Sequence, residues 1–130
     1  MNIPALSLLF AGLVPFIPKV PMSIAINRAG KGYDNANPRD QQLTLEGMGR
    51  RALAAHNNSF EAFPLFAVGV LLALHMQVSS GLFDAYCTVW VLARIAYVWF
   101  YVCDQPRWRS AMYGVALICA LGNYILALSA

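Results

Sequence analysis

Arg51, Asn58 and Glu61 share one face of a helix of about 3.6 residues per turn, together with Ala54, Ala55 and Leu65, and the run leads directly into the apolar segment Ala67 to Leu74. Farther along, Trp90, Arg94, Tyr97 and Tyr101 repeat that spacing inside a second apolar stretch. A charged residue at the centre of an inserted helix costs roughly 2.5 to 3.5 kcal/mol, so such groups persist mainly where they have partners and a task. Arg94 falls about nine residues from the end of its stretch, roughly 14 Å deep at about 1.5 Å per residue, and at that depth it needs a carboxylate. Glu61 is the only acid well inside an apolar stretch, because Asp84 and Asp104 fall near stretch ends. The expectation is a Glu61–Arg94 ion pair, within one subunit or across two. Such a pair either glues helices together or grips a charged ligand. Pro64 is expected to kink its helix one turn beyond Glu61 and free a backbone acceptor there.

The elements that must carry these residues follow from composition. The chain has 130 residues, 59% of them hydrophobic and 12% charged, against about 25% charged in a soluble domain. With a mean hydropathy of +0.55 it reads as an integral membrane protein. Four apolar stretches are long enough to cross a hydrocarbon core, at about 3–26, 52–76, 82–103 and 108–128. Pro4, Pro15, Pro18 and Pro21 make the first of them kinked or irregular. That stretch lacks a basic lead-in and contains Lys19, so it is read as a span rather than a signal peptide. The polar run Asn27 to Gln42 is loop chemistry, whereas the connections at 77–81 and 104–107 are short enough to force antiparallel neighbours. The expected fold is an all-α, up-down bundle of four transmembrane helices in a single domain.

Arg28, Lys31, Arg39, Arg50 and Arg51 flank the first loop and Arg107 and Arg109 the third, while the second loop and both ends carry no lysine or arginine. Both termini are therefore expected on the far side from the cytoplasm, with the two basic loops facing it. The net charge of +3 is too small and too scattered for nucleic-acid binding. Cys87, Cys103 and Cys119 lie far apart with no CxxC pair, which suggests neither a zinc site nor a disulfide framework. They read as small apolar helix residues, with Cys103 near a span boundary as the one candidate reactive thiol.

The run Arg51-Ala-Leu-Ala-Ala-His56-Asn57-Asn58-Ser-Phe-Glu61-Ala-Phe-Pro64 resembles the MAPEG family, the membrane-associated proteins of eicosanoid and glutathione metabolism. So do Ala36-Asn37-Pro38-Arg39-Asp40, Ala93-Arg94-Ile-Ala-Tyr97-Val-Trp-Phe-Tyr101 and Arg109-Ser110-Ala-Met-Tyr113. The likeness covers about the last three quarters of the chain and is closest to bacterial members. It implies a homotrimer in a bacterial inner membrane, with glutathione as co-substrate in a cleft between subunits that opens toward the cytoplasm. By motif position Asn58 and Glu61 would grip the glutathione peptide. Arg94 and Tyr101 would line the same cleft, and Arg109 with Ser110 would attend the thiol.

The residue chemistry agrees with those assignments. Glutathione presents two carboxylates, an α-ammonium and a thiol. Arg51, Arg94 and Arg109 supply bidentate carboxylate donors, and Glu61 can take the ammonium. A thiol with a pKa near about 8.5 needs a nearby cation or donor at neutral pH, which makes Arg109, with Ser110 or Tyr101, the candidate activator. One position departs from the pattern. Glutathione-binding members commonly carry an arginine four residues before the asparagine, and Ala54 stands there. His56, Asn57 or Arg50 would have to substitute.

Three functions are compatible with these residues. The first is a glutathione-dependent transferase or peroxidase acting on hydrophobic small molecules from the bilayer. The second is a noncatalytic trimer that binds membrane lipid as a scaffold or serves a larger membrane complex, which Ala54 favours. The third is a small proton-coupled exporter, ranked last because such proteins carry their key glutamate in the first helix and this first helix has no acid.

Overall fold

The computed structural model describes residues 2–130. Helix α1 covers Ile3–Leu13, followed by a 3-10 turn at Val14–Phe16 and by α2 at Lys19–Arg28. A short α3 (Pro38–Leu43) crosses the first loop, and α4 (Gly47–His75), α5 (Gly81–Val102) and α6 (Pro106–Leu128) complete the chain. Among the described residues there is no strand. Among the described residues four helical stretches are long and apolar enough to cross a membrane, with α1, the turn and α2 forming the first, Ile3–Arg28.

Prolines and caps explain these boundaries. Pro4 sits in the first turn of α1, where Asn2 Oδ1 accepts from the Ala5 N–H at 3.1 Å. Pro15 and Pro18 lack the N–H groups that would continue α1, so the first span breaks as expected and restarts at Lys19. Ser80 caps α5 by accepting from the Phe83 N–H at 3.1 Å. Both short connections begin with a left-handed residue, Gln77 at φ 58° and Asp104 at φ 59°. The N–H groups of Val78 and Gln105 then reach back to Ala73 O at 2.9 Å and Phe100 O at 2.8 Å, which closes a Schellman motif at each helix end. Helix α4 starts at Gly47, before the apolar window expected at 52, because its first turns, Gly47-Met-Gly-Arg-Arg51, are helical yet too rich in glycine and arginine to register as apolar. It also continues through Pro64 without a break.

The second span is the hub of the bundle, touching α1, α2, α5 and α6. Phe66 and Trp90 stack at 4.0 Å and 11°, locking α4 to α5 at mid-span. Buried alanines (Ala11, Ala73, Ala116, Ala120) let the helices approach closely around them. Gly49 serves the same end, since a Cβ there would lie 2.7 Å from the Ala25 Cβ. Gly69 leaves room for the ring of Tyr124, whose hydroxyl donates to the Leu65 carbonyl at 2.9 Å. Large apolar side chains such as Val68, Leu71, Leu92, Ile118 and Ile125 point outward, which suits lipid or a neighbouring subunit. Cys87 and Cys119 are buried in this packing and Cys103 is exposed, all three as free thiols.

Candidate functional site

Helix α5 carries Arg94 into the interior, where the residue is 1% exposed. Its Nη2 donates to Asn58 Oδ1 at 2.9 Å and to Ser59 Oγ at 3.3 Å, both on α4. Asn58 Nδ2 donates in turn to Glu61 Oε2 at 3.5 Å. Within the subunit a relay through Asn58 therefore stands where a direct ion pair was expected. Positions 58 and 61 are about one turn apart, and the shorter Asn58 side chain points straight across to α5 while Glu61 stays exposed at the rim. Among the described residues Arg94 Nε and Nη1 have no hydrogen-bond partner.

Below Arg94 runs a stack of rings and guanidinium groups. The Arg94 guanidinium lies 4.2 Å from the centroid of Tyr97, and that of Arg109 lies 4.4 Å from Tyr101. Tyr97 meets Tyr101 edge-on at 5.6 Å and Tyr113 at 6.3 Å. Arg94, Tyr97 and Tyr101 come from one stripe of α5, and Arg109 and Tyr113 from one stripe of α6, so two helical repeats interleave into a single ladder. Cation–π contacts of this kind contribute about 0.5 to 2 kcal/mol and fix the guanidinium planes without neutralising them.

A cavity of about 110 Å³ opens beside the ladder, lined by Asn58, Glu61, Arg94 and Tyr113 on its polar side and by Leu65 and Trp90 on its apolar side. Small-molecule sites usually enclose about 300 to 1,000 Å³, so this one is a fragment of a cleft. Glu61, Leu65 and Tyr113 are exposed around it, leaving its open side free to be completed by another surface.

The sequence-derived candidates divide into three groups. Asn58, Glu61 and Arg94 meet at the cavity, and Tyr101 and Arg109 meet in the ladder beneath it. Arg51 lies on the expected face of α4, but seven residues before Asn58 it is engaged elsewhere: Nε donates to the Val102 carbonyl at 3.3 Å and Nη1 lies 3.8 Å from Asp104 Oδ2. It satisfies the C-terminus of α5, where a cation is favoured, rather than facing the cavity. His56 is not brought to the cluster within the subunit. Two residues before Asn58 it points about 200° around the helix, and its Nδ1–H donates to the Pro15 carbonyl at 2.7 Å, an acceptor released by the proline break. Ser110 is exposed, one turn before Tyr113 on α6. Of the three residues expected to substitute for an arginine at Ala54, Arg50 and Asn57 line one groove with it, at the i, i+4, i+7 spacing.

Ser59 is a residue of this site that sequence reasoning misses. Ser59 carries no spacing signal of its own, and its Oγ is oriented by donating to the Ala55 carbonyl at 2.7 Å. Tyr113 was legible as the residue one turn beyond Arg109 on the same stripe.

The MAPEG family model matches residues 3–129, essentially the whole chain. Searches of curated proteins and of solved structures gave no match.

Proposed function

Because the chain belongs to the MAPEG family, we propose that it is a membrane-bound, glutathione-dependent transferase or peroxidase acting on hydrophobic electrophiles that partition from the bilayer. The observation that carries this reading is Arg94, wholly buried beside the cavity with Nε and Nη1 unpartnered. A buried guanidinium with no carboxylate partner is costly, and a carboxylate or peptide carbonyl in the cleft would set negative charge against the side of Arg94 that lines it. Glutathione carries both, and its α-ammonium suits the exposed carboxylate of Glu61.

Within this reading Asn58, Glu61 and Arg94 hold the peptide. Arg109, held over Tyr101, supplies the cation that favours the thiolate, with the Tyr101 or Ser110 hydroxyl as hydrogen-bond donor. Arg50 and Asn57 share the groove of Ala54 and are placed to replace the arginine absent there. The small volume of the cavity in one subunit supports completion by a neighbour in a homotrimer. The basic loops support an orientation in a bacterial inner membrane with both termini periplasmic and the cleft opening to the cytoplasm. Leu65, Trp90 and the lipid-facing side of the cavity would meet the electrophile. Conjugation of a chloronitrobenzene by the detergent-solubilised protein in the presence of glutathione tests the activity.

Ala54 favours a second reading, a noncatalytic trimer that scaffolds lipid or joins a larger membrane complex. It differs in one outcome: the protein would leave its native membrane in mild detergent bound to other subunits, and would conjugate nothing.

A further inference from the structure

Lys19 takes no part in the cleft described above. It opens α2, nine residues before the end of the first span, and is half-buried. An ammonium there is expensive without a partner. The one ion pair among the described residues joins Arg51 to Asp104, so no carboxylate pairs with Lys19. It instead lines a cavity of about 650 Å³ between α2, α3 and α4, whose wall also includes Arg39, Tyr33, Asn57, His56 and Phe60. No Asp or Glu contributes to that wall in the described chain.

The loop that brings Arg39 and Tyr33 over the cavity is held by its own hydrogen bonds. Gln41 Nε2 donates to Gly32 O at 2.6 Å, and Gln41 Oε1 accepts from the Asp34 N–H at 3.0 Å. The Asp34 carboxylate is committed to the turn, accepting from the N–H groups of Ala36 and Asn37 at 2.9 and 3.0 Å. Among the described residues no ion pair joins Asp34 or Asp40 to Lys19 or Arg39. The first span has 26 residues, about 39 Å at 1.5 Å each, which exceeds a hydrocarbon core of about 30 Å. Its last turns therefore reach the headgroup layer, and Lys19, in the first of those turns, lines the cavity together with Phe60.

We propose that this cavity, set apart from the Arg94 cleft, is a second binding site, for the phosphate of an anionic amphiphile. Lys19 and Arg39 provide the charge, Tyr33 a hydrogen-bond donor, and Phe60 with Leu53 an apolar wall for the attached chain.

The test measures thermal unfolding of the full chain in a nonionic detergent, titrated separately with short-chain phosphatidylglycerol, phosphatidylcholine of the same chains, and inorganic phosphate. Saturable stabilisation by phosphatidylglycerol and not by phosphatidylcholine is expected, with half-saturation raised about fivefold in each of Lys19→Gln and Arg39→Gln. The Glu61→Gln variant should respond as the wild type does. Inorganic phosphate acting as strongly as the lipid supports the anion site and assigns it to a soluble phosphate; action by the lipid alone assigns it to the leaflet. The proposal is overturned if phosphatidylcholine stabilises equally, if both charge variants, folded in detergent alone, keep the wild-type response, or if Glu61→Gln abolishes it.

Discussion

Arg94 Nη2 donates to Asn58 Oδ1 across 2.9 Å, and this bond joins α5 to α4 at the depth where the candidate cleft begins. It makes Asn58 both a structural partner and a site residue. Replacing Asn58 with Ala removes an acceptor from a buried cation and should cost about 1.5 to 3 kcal/mol in detergent denaturation. Asn58→Asp keeps that acceptor and adds charge, so it should be the more stable of the two variants. The reverse order would mean that the bond does not hold the helices.

Glu61 is exposed and touches Arg94 only through Asn58, so its charge does little for the fold. The variant Glu61→Gln should alter stability by less than about 0.5 kcal/mol. Its affinity for glutathione should fall about tenfold, equal to the loss of one charge-assisted contact. Loss of stability with affinity unchanged would recast Glu61 as packing.

Ala54 allows a gain-of-function test. The side chain is half-buried in a groove shared with Arg50 and Asn57. If that groove forms part of the glutathione site, Ala54→Arg should tighten binding about tenfold. Unchanged or weaker binding in a folded Ala54→Arg protein would separate the groove from the site.

The guanidinium of Arg109 stacks on Tyr101 rather than pairing with an acid, which leaves its charge available to a thiolate. Arg109→Ala should lower kcat about 100-fold with a much smaller change in glutathione affinity, the pattern of an interaction made mainly in the transition state. Tyr101→Phe retains the ring under Arg109 and isolates the hydroxyl. Should it match Arg109→Ala, the hydroxyl is the essential donor; should it match wild type, Ser110 is left as the donor to test.

Gln77 ends α4 at φ 58°, a conformation that side chains other than glycine adopt at a cost. Gln77→Gly should stabilise the protein by about 1 kcal/mol, read as a higher midpoint of thermal unfolding, with no effect on ligand binding.

Much of this architecture is legible in the sequence because hydropathy and helical period act along the chain. The four spans and the facing stripes of Asn58, Glu61 and Arg94 follow from those two regularities, and the break at Pro15 and Pro18 from the N–H groups that proline lacks. Arg51 and His56 show where they stop. Both obey the period of α4, yet their partners, the Val102 carbonyl and the Pro15 carbonyl, are backbone groups released by events on other helices. Such partners depend on how far one helix slides along its neighbour. The relay through Asn58 was hidden for a related reason: charge alone favours Glu61, whereas side-chain length and direction select Asn58.

Calorimetric titration of the detergent-solubilised protein with glutathione is the most direct test of the central claim. The expected result is saturable binding at millimolar glutathione or below, weakened in Glu61→Gln while that variant melts as the wild type does. The absence of any binding heat at millimolar glutathione, in protein shown to be folded, would contradict it.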